Sequence, residues 1–233
     1  MKIIHCSREE IEREVVKELV DLISVKPKSV LGLPTGSTPI GIYDKLIEAY
    51  QNKKVSFKDV ITFNLDEYIG LDESNINSYR YFMKNNLFKY IDINHENTNF
   101  PSLHNLTDYD SMITQVGGID IQLLGLGSDG HIGFNEPLTS FDTLTHITNL
   151  DEQTIKDNSR FFNSIDEVPT KAITMGLKSI MNARKIILIV YGKNKEEIIN
   201  KFLKSEITTF IPCSILKKHN DLTIYIEEDI KIY

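Results

Sequence analysis

Short apolar runs alternate with amphipathic segments along most of this 233-residue chain. The run at 29–33 is hydrophobic on both alternations, which is typical of a strand covered on both faces of a sheet. The predicted strands are residues 29–33, 59–65, 119–126, 185–191 and 222–226. Strands that alternate with helices are usually joined by crossovers into a parallel sheet. The sequence therefore predicts an α/β fold in which helices cover both faces of a mostly parallel sheet.

The amphipathic segments predict the helices between these strands. Ser7 and Glu10 have the spacing of a capping box, so the first helix is expected to run from there to about Ser24. Another helix is expected after Pro39. The remaining predicted helices are residues 77–90, 108–116, 170–183 and 194–204. Residues 150–168 are polar and weakly patterned, so we expect a mobile surface segment there, and no strand is predicted before the one at 29–33.

Charge and apolar content restrict the partners of the chain. With 26 Lys+Arg against 33 Asp+Glu, the net charge of −7 disfavours nucleic acid, which is bound by clustered basic residues. The longest purely apolar run, at 186–191, is far shorter than the about 20 residues of a membrane-spanning helix. The N-terminus lacks a signal-peptide pattern, so we expect a cytosolic protein. Cys6 and Cys213 are expected to be thiols without a disulfide or zinc role.

Ligands of parallel α/β folds bind beyond the carboxyl ends of the strands, so the loops there are the candidates for chemistry. The loop at 33–39 offers Gly36 for a tight backbone turn and the hydroxyls of Ser37 and Thr38 at the start of a helix. It lacks the spacing and the lysine of a nucleotide-binding P-loop. We therefore interpret it as a phosphate cradle, with an ordinary capped turn as the alternative.

Two adjacent acids, Asp66 and Glu67, follow the second predicted strand. A carboxylate at the mouth of the sheet can take a proton from a carbon beside a carbonyl group, if it lies within reach of the substrate. Asp66 is the better candidate for that base. Glu67 is as well explained by a solvated turn or a helix cap.

The stretch at 125–137 is the densest candidate site. It combines several glycines with Asp129, His131, Asn135 and Glu136 directly after a strand, which packing alone does not explain. Histidine titrates near neutral pH, and a flanking carboxylate can orient its ring. Acid–base work on a small molecule is our interpretation. A metal site is the alternative, although no second histidine stands at metal-ligand spacing.

Two basic residues could complete an anion site. Arg160 lies in the weakly patterned segment, and Lys195 lies near the start of the helix after the strand at 185–191. An arginine presents a planar fork to phosphate oxygens, and a lysine adds a point charge. The alternative is that both are solvated surface cations.

Four segments, at 33–39, 63–68, 125–137 and 158–162, together resemble glucosamine-6-phosphate deaminases. The likeness runs in order across nearly the whole chain. It implies a Rossmann-like three-layer α/β/α sandwich, with residues 1–233 as a single catalytic domain. It also implies a hydrolase-class reaction of amino-sugar catabolism, in which glucosamine 6-phosphate and water give fructose 6-phosphate and ammonia without a metal or organic cofactor.

The resemblance assigns roles to particular positions. Asp66 matches the base that moves a proton from C2 of the opened sugar. The ring-opening group corresponds to Asp129, His131 and Glu136. The phosphate-binding positions correspond to Gly36, Ser37, Thr38, Arg160 and Lys195. The stretch at 150–170 corresponds to an active-site lid.

The chain departs from the hexameric, allosterically regulated members of that family. Those members carry basic residues between the two motifs, whereas 139–157 contains only Lys156, with His146 and Thr148 at the aligned positions. The chain also ends soon after its last predicted strand. We therefore expect an unregulated monomer, with self-association left open. The alternatives in function are a 6-phosphogluconolactonase-type hydrolase and a non-enzymatic sugar-phosphate-sensing domain.

Overall fold

The computed structural model describes the backbone of residues 1–233 and every side chain except that of Asp157. Ten strands are present in this part of the chain: β1 (Lys2–Cys6), β2 (Val30–Leu33), β3 (Ile61–Asn64), β4 (Asp66–Tyr68), β5 (Thr98–Asn99), β6 (Ile121–Gly125), β7 (His146–Asn149), β8 (Lys171–Thr174), β9 (Lys185–Val190) and β10 (Leu222–Glu227). The α-helices are α1 (Arg8–Val25), α2 (Ile40–Gln51), α3 (Tyr79–Asn86), α4 (Tyr109–Gln115), α5 (Glu152–Asn158), α6 (Leu177–Met181) and α7 (Glu196–Lys204).

Seven strands form the main sheet in the order β1-β10-β9-β6-β2-β3-β5, and every pairing in it is parallel. Side chains of β9 alternate between the two faces: Ile186 and Leu188 pack with α4, α6 and α7, while Ile187 and Ile189 pack with α1, α2 and α3. This period-two alternation buries both faces of the sheet. The predicted three-layer α/β/α architecture and all five predicted strands are therefore confirmed.

The first helix starts where the sequence places it. Ser7 caps α1 by accepting the backbone N–H of Glu10, and the Glu10 side chain accepts the N–H of Ser7 in return. The helix buries one face, which carries Ile11 and Val15 among others. The capping box is confirmed, and it sets the point at which the chain leaves β1.

The structure corrects two predictions about the main elements. β1, in front of α1, was not predicted; it pairs with β10 at the edge of the sheet, and most of its residues are exposed. The helix expected at 170–183 is wrong over its first part, because Lys171–Thr174 forms β8 and only Leu177–Met181 is helical. β8 is a strand because β4 and β7 pair with it antiparallel on either side.

The small antiparallel sheet β4-β8-β7 places the segments around the cavity described below. It holds Asp66 on β4, and it links residues after β6 to α5 in the 150–168 segment. Cys6 and Cys213 are both free thiols. In the described part of the chain, no helix combines the length and the apolar character needed to cross a bilayer.

Candidate active site

An open cavity of about 710 Å³ lies at the carboxyl ends of β2, β6 and β9, next to β4. Two of the nine residues predicted for the site, Asp129 and Glu136, are set behind His131, on the side of its Nδ1 atom. The other seven line the cavity: Gly36, Ser37, Thr38, Asp66, His131, Arg160 and Lys195. The fold thus brings loops that are far apart in sequence to one edge of the sheet, as expected for a parallel α/β fold.

The loop between β2 and α2 forms one end of the cavity. Gly36 has a φ of 84°, a left-handed backbone conformation that glycine adopts without strain. Pro39 is the N-cap of α2, and no described side chain caps that helix by a hydrogen bond. Free N–H groups at a helix start attract anions. Together with the hydroxyls of Ser37 and Thr38, they suit a phosphate group.

Asp66 lies on β4 at the side of the cavity and is 7% exposed. Burial raises the pKa of its carboxyl to about 8, and the charge of Glu67 adds to this, while His131 acts in the opposite direction. A carboxyl with a pKa near the working pH can take up and return a proton with little cost. The position and the pKa of Asp66 therefore both suit a general base.

Glu67, the neighbour of Asp66, is not among the residues that line the cavity. Its carboxylate accepts three backbone N–H groups, from Tyr68, Tyr79 and Arg80, each at 2.9 Å. Burial raises the pKa of Glu67, and these hydrogen bonds oppose the shift. The structure thus supports the alternative reading of Glu67 as a helix cap, because the carboxylate ties β4 to the start of α3.

Two carboxylates surround Nδ1 of His131. Asp129 Oδ1 lies 2.7 Å from Nδ1, and Glu136 Oε2 lies 3.6 Å from it. The Asp129 contact is an ion-pair distance, but the oxygen lies off the N–H direction, so Nδ1 makes no well-directed hydrogen bond. Asp129 also accepts the backbone N–H of His131 at 3.0 Å. Because both carboxylates face Nδ1, Nε2 is the nitrogen left for a ligand in the cavity.

The negative carboxylates and the protonated form of His131 stabilise one another. Burial lowers the pKa of His131, but the contact with Asp129 and the charge of Glu136 outweigh burial, and the net direction is upward. Burial alone would raise the pKa of Asp129; the imidazole overcomes it and brings that pKa to about 2. His131 is therefore held ready to carry a proton while Asp129 stays ionised.

Asp129, His131 and Glu136 also bring three possible metal-ligand atoms within 4.8 Å of one another. Two ligands at about 2.0–2.1 Å from one tetrahedral zinc ion lie about 3.3 Å apart. The 2.7 Å contact between Asp129 and His131 is shorter than that separation. The spacing thus fits an ion pair better than two ligands that share one metal ion.

Gly127 supports the imidazole from one side. A Cβ atom at Gly127 would lie 2.4 Å from three ring atoms of His131, so the ring must move if alanine is introduced. We expect Gly127→Ala to lower the turnover rate about tenfold or more, because small misplacements of a catalytic group are costly. Gly41→Ala is the matched control, since its Cβ would displace only Glu12. Steady-state kinetics and melting temperatures of both variants test this; equal turnover in the two would contradict it.

The two predicted cations line the cavity in different settings. Arg160 lies in a short 3₁₀ turn after α5 and is exposed, with its guanidinium 4.7 Å from the centre of the Phe161 ring. Lys195 lies at the N-cap of α7, and its charge acts to lower the pKa of His131. Lys195 is therefore near enough to the imidazole to influence it.

The structure adds a cavity residue that the sequence did not indicate. Arg8 lines the cavity, packs 4.5 Å from the centre of the Tyr191 ring and pairs with Glu227 at 2.9 Å. Glu227 also accepts the backbone N–H of Gly192 at 2.7 Å. The first turn of α1, the end of β9 and the end of β10 meet here, and no local pattern in the sequence signals that meeting.

Fold and site together define an α/β protein whose cavity, at the carboxyl ends of parallel strands, combines a buried carboxyl, an imidazole and cationic side chains. A family model described as glucosamine-6-phosphate isomerases/6-phosphogluconolactonase matches residues 7–225. A relative from Mycoplasma mycoides subsp. mycoides SC, named glucosamine-6-phosphate deaminase, is 55% identical over 233 residues, 98% of this chain and 96% of the relative. One of the same name from Lachnoclostridium phytofermentans is 52% identical, covering 96% and 98%. The chain belongs to this family.

Solved structures agree with this assignment. A monomeric glucosamine-6-phosphate deaminase superposes with a TM-score of 0.96 at 41% identity, over 99% of this chain and 98% of that one. A 6-phosphogluconolactonase from Thermotoga maritima has a TM-score of 0.75 at 18% identity, over 97% and 98%. The likeness to the lactonase shows that the fold is shared, whereas the likeness to the deaminase extends to the sequence.

Proposed function

We propose that this chain converts glucosamine 6-phosphate and water into fructose 6-phosphate and ammonia. The observation that carries the proposal is the pairing, in one cavity, of the buried carboxyl of Asp66 with the imidazole of His131. One group suits proton transfer at carbon, and the other suits proton transfer at oxygen. Close relatives that carry the name of this activity support the same conclusion.

The phosphate would bind at the end of the cavity formed by the β2–α2 loop. Backbone N–H groups of α2 and the hydroxyls of Ser37 and Thr38 donate there, and Arg160 and Lys195 supply positive charge. This local set of donors explains how a protein of net charge −7 attracts an anion. Binding of the phosphate would place the sugar carbons between that end and Asp66.

The reaction requires proton transfers at oxygen and at carbon before ammonia leaves. His131 takes the O1 proton of the cyclic sugar and donates a proton to O5, which opens the ring to an aldehyde. Asp66 then removes the C2 proton and returns it to C1, while the aldehyde oxygen O1 gains the proton that the C2 ammonium group loses, so that C1 becomes a hydroxymethyl group and C2 an iminium. Water adds to the iminium, and ammonia leaves to give the ketone.

Incubation of the purified protein with glucosamine 6-phosphate tests this proposal. We expect ammonia and fructose 6-phosphate to form in equal amounts, in buffer that contains EDTA, because the proposed steps use proton transfer alone. Hydrolysis of 6-phosphogluconolactone without ammonia release would instead support the lactonase alternative. No reaction from folded protein would refute the proposal, and ammonia release only with added metal would restore the metal alternative.

Arg160→Ala tests the phosphate end of the cavity. We expect KM to rise about 10- to 100-fold with little change in kcat, because the guanidinium binds the phosphate equally in ground state and transition state. Lys156→Ala, which removes an exposed cation of α5 outside the cavity, is the control. Initial rates over a range of substrate concentrations give both constants. An unchanged KM in Arg160→Ala would remove Arg160 from the phosphate site.

Residues 150–170 serve as a lid over the cavity in this proposal. Gln153, Asn158 and Arg160 line the cavity from this segment, and Phe162 packs edge-on against Tyr68 at 5.9 Å between ring centres. The segment thus rests on the wall of the site without belonging to the main sheet.

We also propose a monomeric, cytosolic enzyme without allosteric control. Sedimentation tests the monomeric state, and hyperbolic kinetics test the absence of allosteric control.

A further inference from the structure

Thr154, on α5, contacts the acid–base group directly. Its hydroxyl donates a hydrogen bond of 2.7 Å to Glu136 Oε1, and Thr154 is only 4% exposed. The backbone N–H of Asp151, the N-cap of α5, approaches the same oxygen at 3.5 Å. Nothing in the sequence pattern indicated Thr154, which lies 18 residues from Glu136 in the chain.

The second oxygen of Glu136 has a different surrounding. Oε2 is buried and makes no hydrogen bond with the described residues, and it lies 3.6 Å from His131 Nδ1. A carboxylate that is held by one oxygen loses its freedom to rotate about its terminal bond. Because Thr154 holds Oε1, Oε2 is directed at the imidazole.

The continuous chain from α5 into the Arg160 turn, together with two side-chain contacts, therefore connects this turn to the imidazole. Arg160 lies in the turn that follows α5 directly, Thr154 lies within α5, and Glu136 connects Thr154 to His131. A ligand that orders the Arg160 turn would also order α5. The orientation of Glu136 then depends on the position of a segment outside its own loop.

We propose that Thr154 is a positioning residue that holds Glu136 toward His131 and so links the Arg160 turn to the ring-opening group. This inference rests on the proposed function for its kinetic readout. Thr154 lines the same cavity, and in this proposal its hydroxyl acts through Glu136. Serine can replace it, and valine, which has the same shape without the donor, cannot.

Thr154→Val should lower kcat about tenfold, the lower end of the range for a hydrogen bond to a charged group, and Thr154→Ser should restore most of it. In a Glu136→Gln background, Thr154→Val should have little further effect, because residues that act through one another are not additive. Thr148→Val, which removes the hydroxyl of a half-buried residue of β7 outside the cavity, is the matched control. Unchanged kcat in Thr154→Val, or additive losses in the double variant, would overturn the inference.

A measurement that does not depend on turnover separates this inference from the proposed function. The charge of Glu136 contributes to raising the pKa of His131. Thr154→Val frees the Glu136 carboxylate to turn away, so the pKa of the His131 imidazole should fall. NMR titration measures this pKa, and His131→Gln assigns the signal. An unchanged imidazole pKa would overturn the inference even if the wild type releases ammonia. A wild type that releases no ammonia would refute the proposed function without touching this measurement.

Discussion

Asp66→Asn is expected to abolish ammonia release and exchange of the C2 proton with solvent. Asparagine keeps the size and the hydrogen-bonding shape of the side chain, but it cannot accept a proton. General-base catalysis typically contributes about 10²- to 10⁴-fold, and the upper part of that range is expected here because no other described carboxyl shares this wall of the cavity. Loss of the C2 signal in deuterated buffer, followed by NMR, measures the exchange directly.

The stability of Asp66→Asn relative to the wild type should increase as pH rises. Because burial raises the pKa of Asp66 to about 8 from 3.8, the folded state binds more protons than the unfolded state between these values. The free energy of unfolding of the wild type therefore falls over that window as pH increases. Asparagine stays neutral throughout. We expect Asp66→Asn to gain at least ~2 kcal/mol over the wild type between pH 5 and pH 9.

Thermal melting across that pH range tests the stability effect. For a chain of this size, the gain corresponds to a melting-temperature difference that grows by about 4–8 °C from pH 5 to pH 9. Asp59→Asn removes an exposed carboxylate at a distance from this cavity and should show no such trend. Phosphate affinity should be unchanged in Asp66→Asn. Retained C2 exchange would remove Asp66 as the base, and a pH-independent melting difference would contradict its burial as an acid.

The sequence predicts those elements that local patterns determine. The five core strands of the main sheet are rich in buried apolar residues, and their patterns are visible without knowledge of the neighbours. β1 is different because it lies at the sheet edge with most residues exposed, so it lacks a buried-strand pattern. β8 was predicted as helix because its extended form depends on pairing with β4 and β7, which come from distant parts of the chain.

The candidate site likewise contains residues that a local pattern indicates and residues that only contacts between distant segments bring there. Asp66 and His131 follow strands directly, so the rule for parallel sheets places them at the cavity. Asn135 was named with them but donates to the backbone carbonyls of Ile132 and Met175, both at 2.8 Å, so its contacts are structural. Arg8 and Thr154 reach the site only through the packing of α1 and α5. Contacts between distant segments leave no local signal in a single sequence.

His131→Gln is expected to lower kcat about 10²- to 10³-fold while the rest of the site still works. Glutamine keeps a polar side chain against Asp129 but cannot move a proton between O1 and O5. The proposed mechanism confines the loss to ring opening. An acyclic analogue, 2-amino-2-deoxyglucitol 6-phosphate, needs no opening and should bind His131→Gln with the wild-type affinity.

His131→Gln should also change how the stability of the protein depends on pH. The pKa of His131 is raised in the folded protein, so its contribution to stability is fully present below the unfolded-state pKa of about 6.5 and is lost as pH rises through the folded value. The variant should therefore be destabilised most at acidic pH. Its stability relative to the wild type should rise with pH, as for Asp66→Asn, because both wild-type groups bind a proton more tightly in the folded protein. The two differ in charge: His131 stabilises when protonated and charged, whereas Asp66 is tolerated when protonated and neutral. His146→Gln, which replaces a half-buried imidazole on β7 that contacts the carbonyl of Leu144, is the control. Wild-type turnover in His131→Gln would remove His131 from ring opening. Weakened binding of the acyclic analogue, equal to the loss in kcat, would show that His131 binds the sugar without opening its ring.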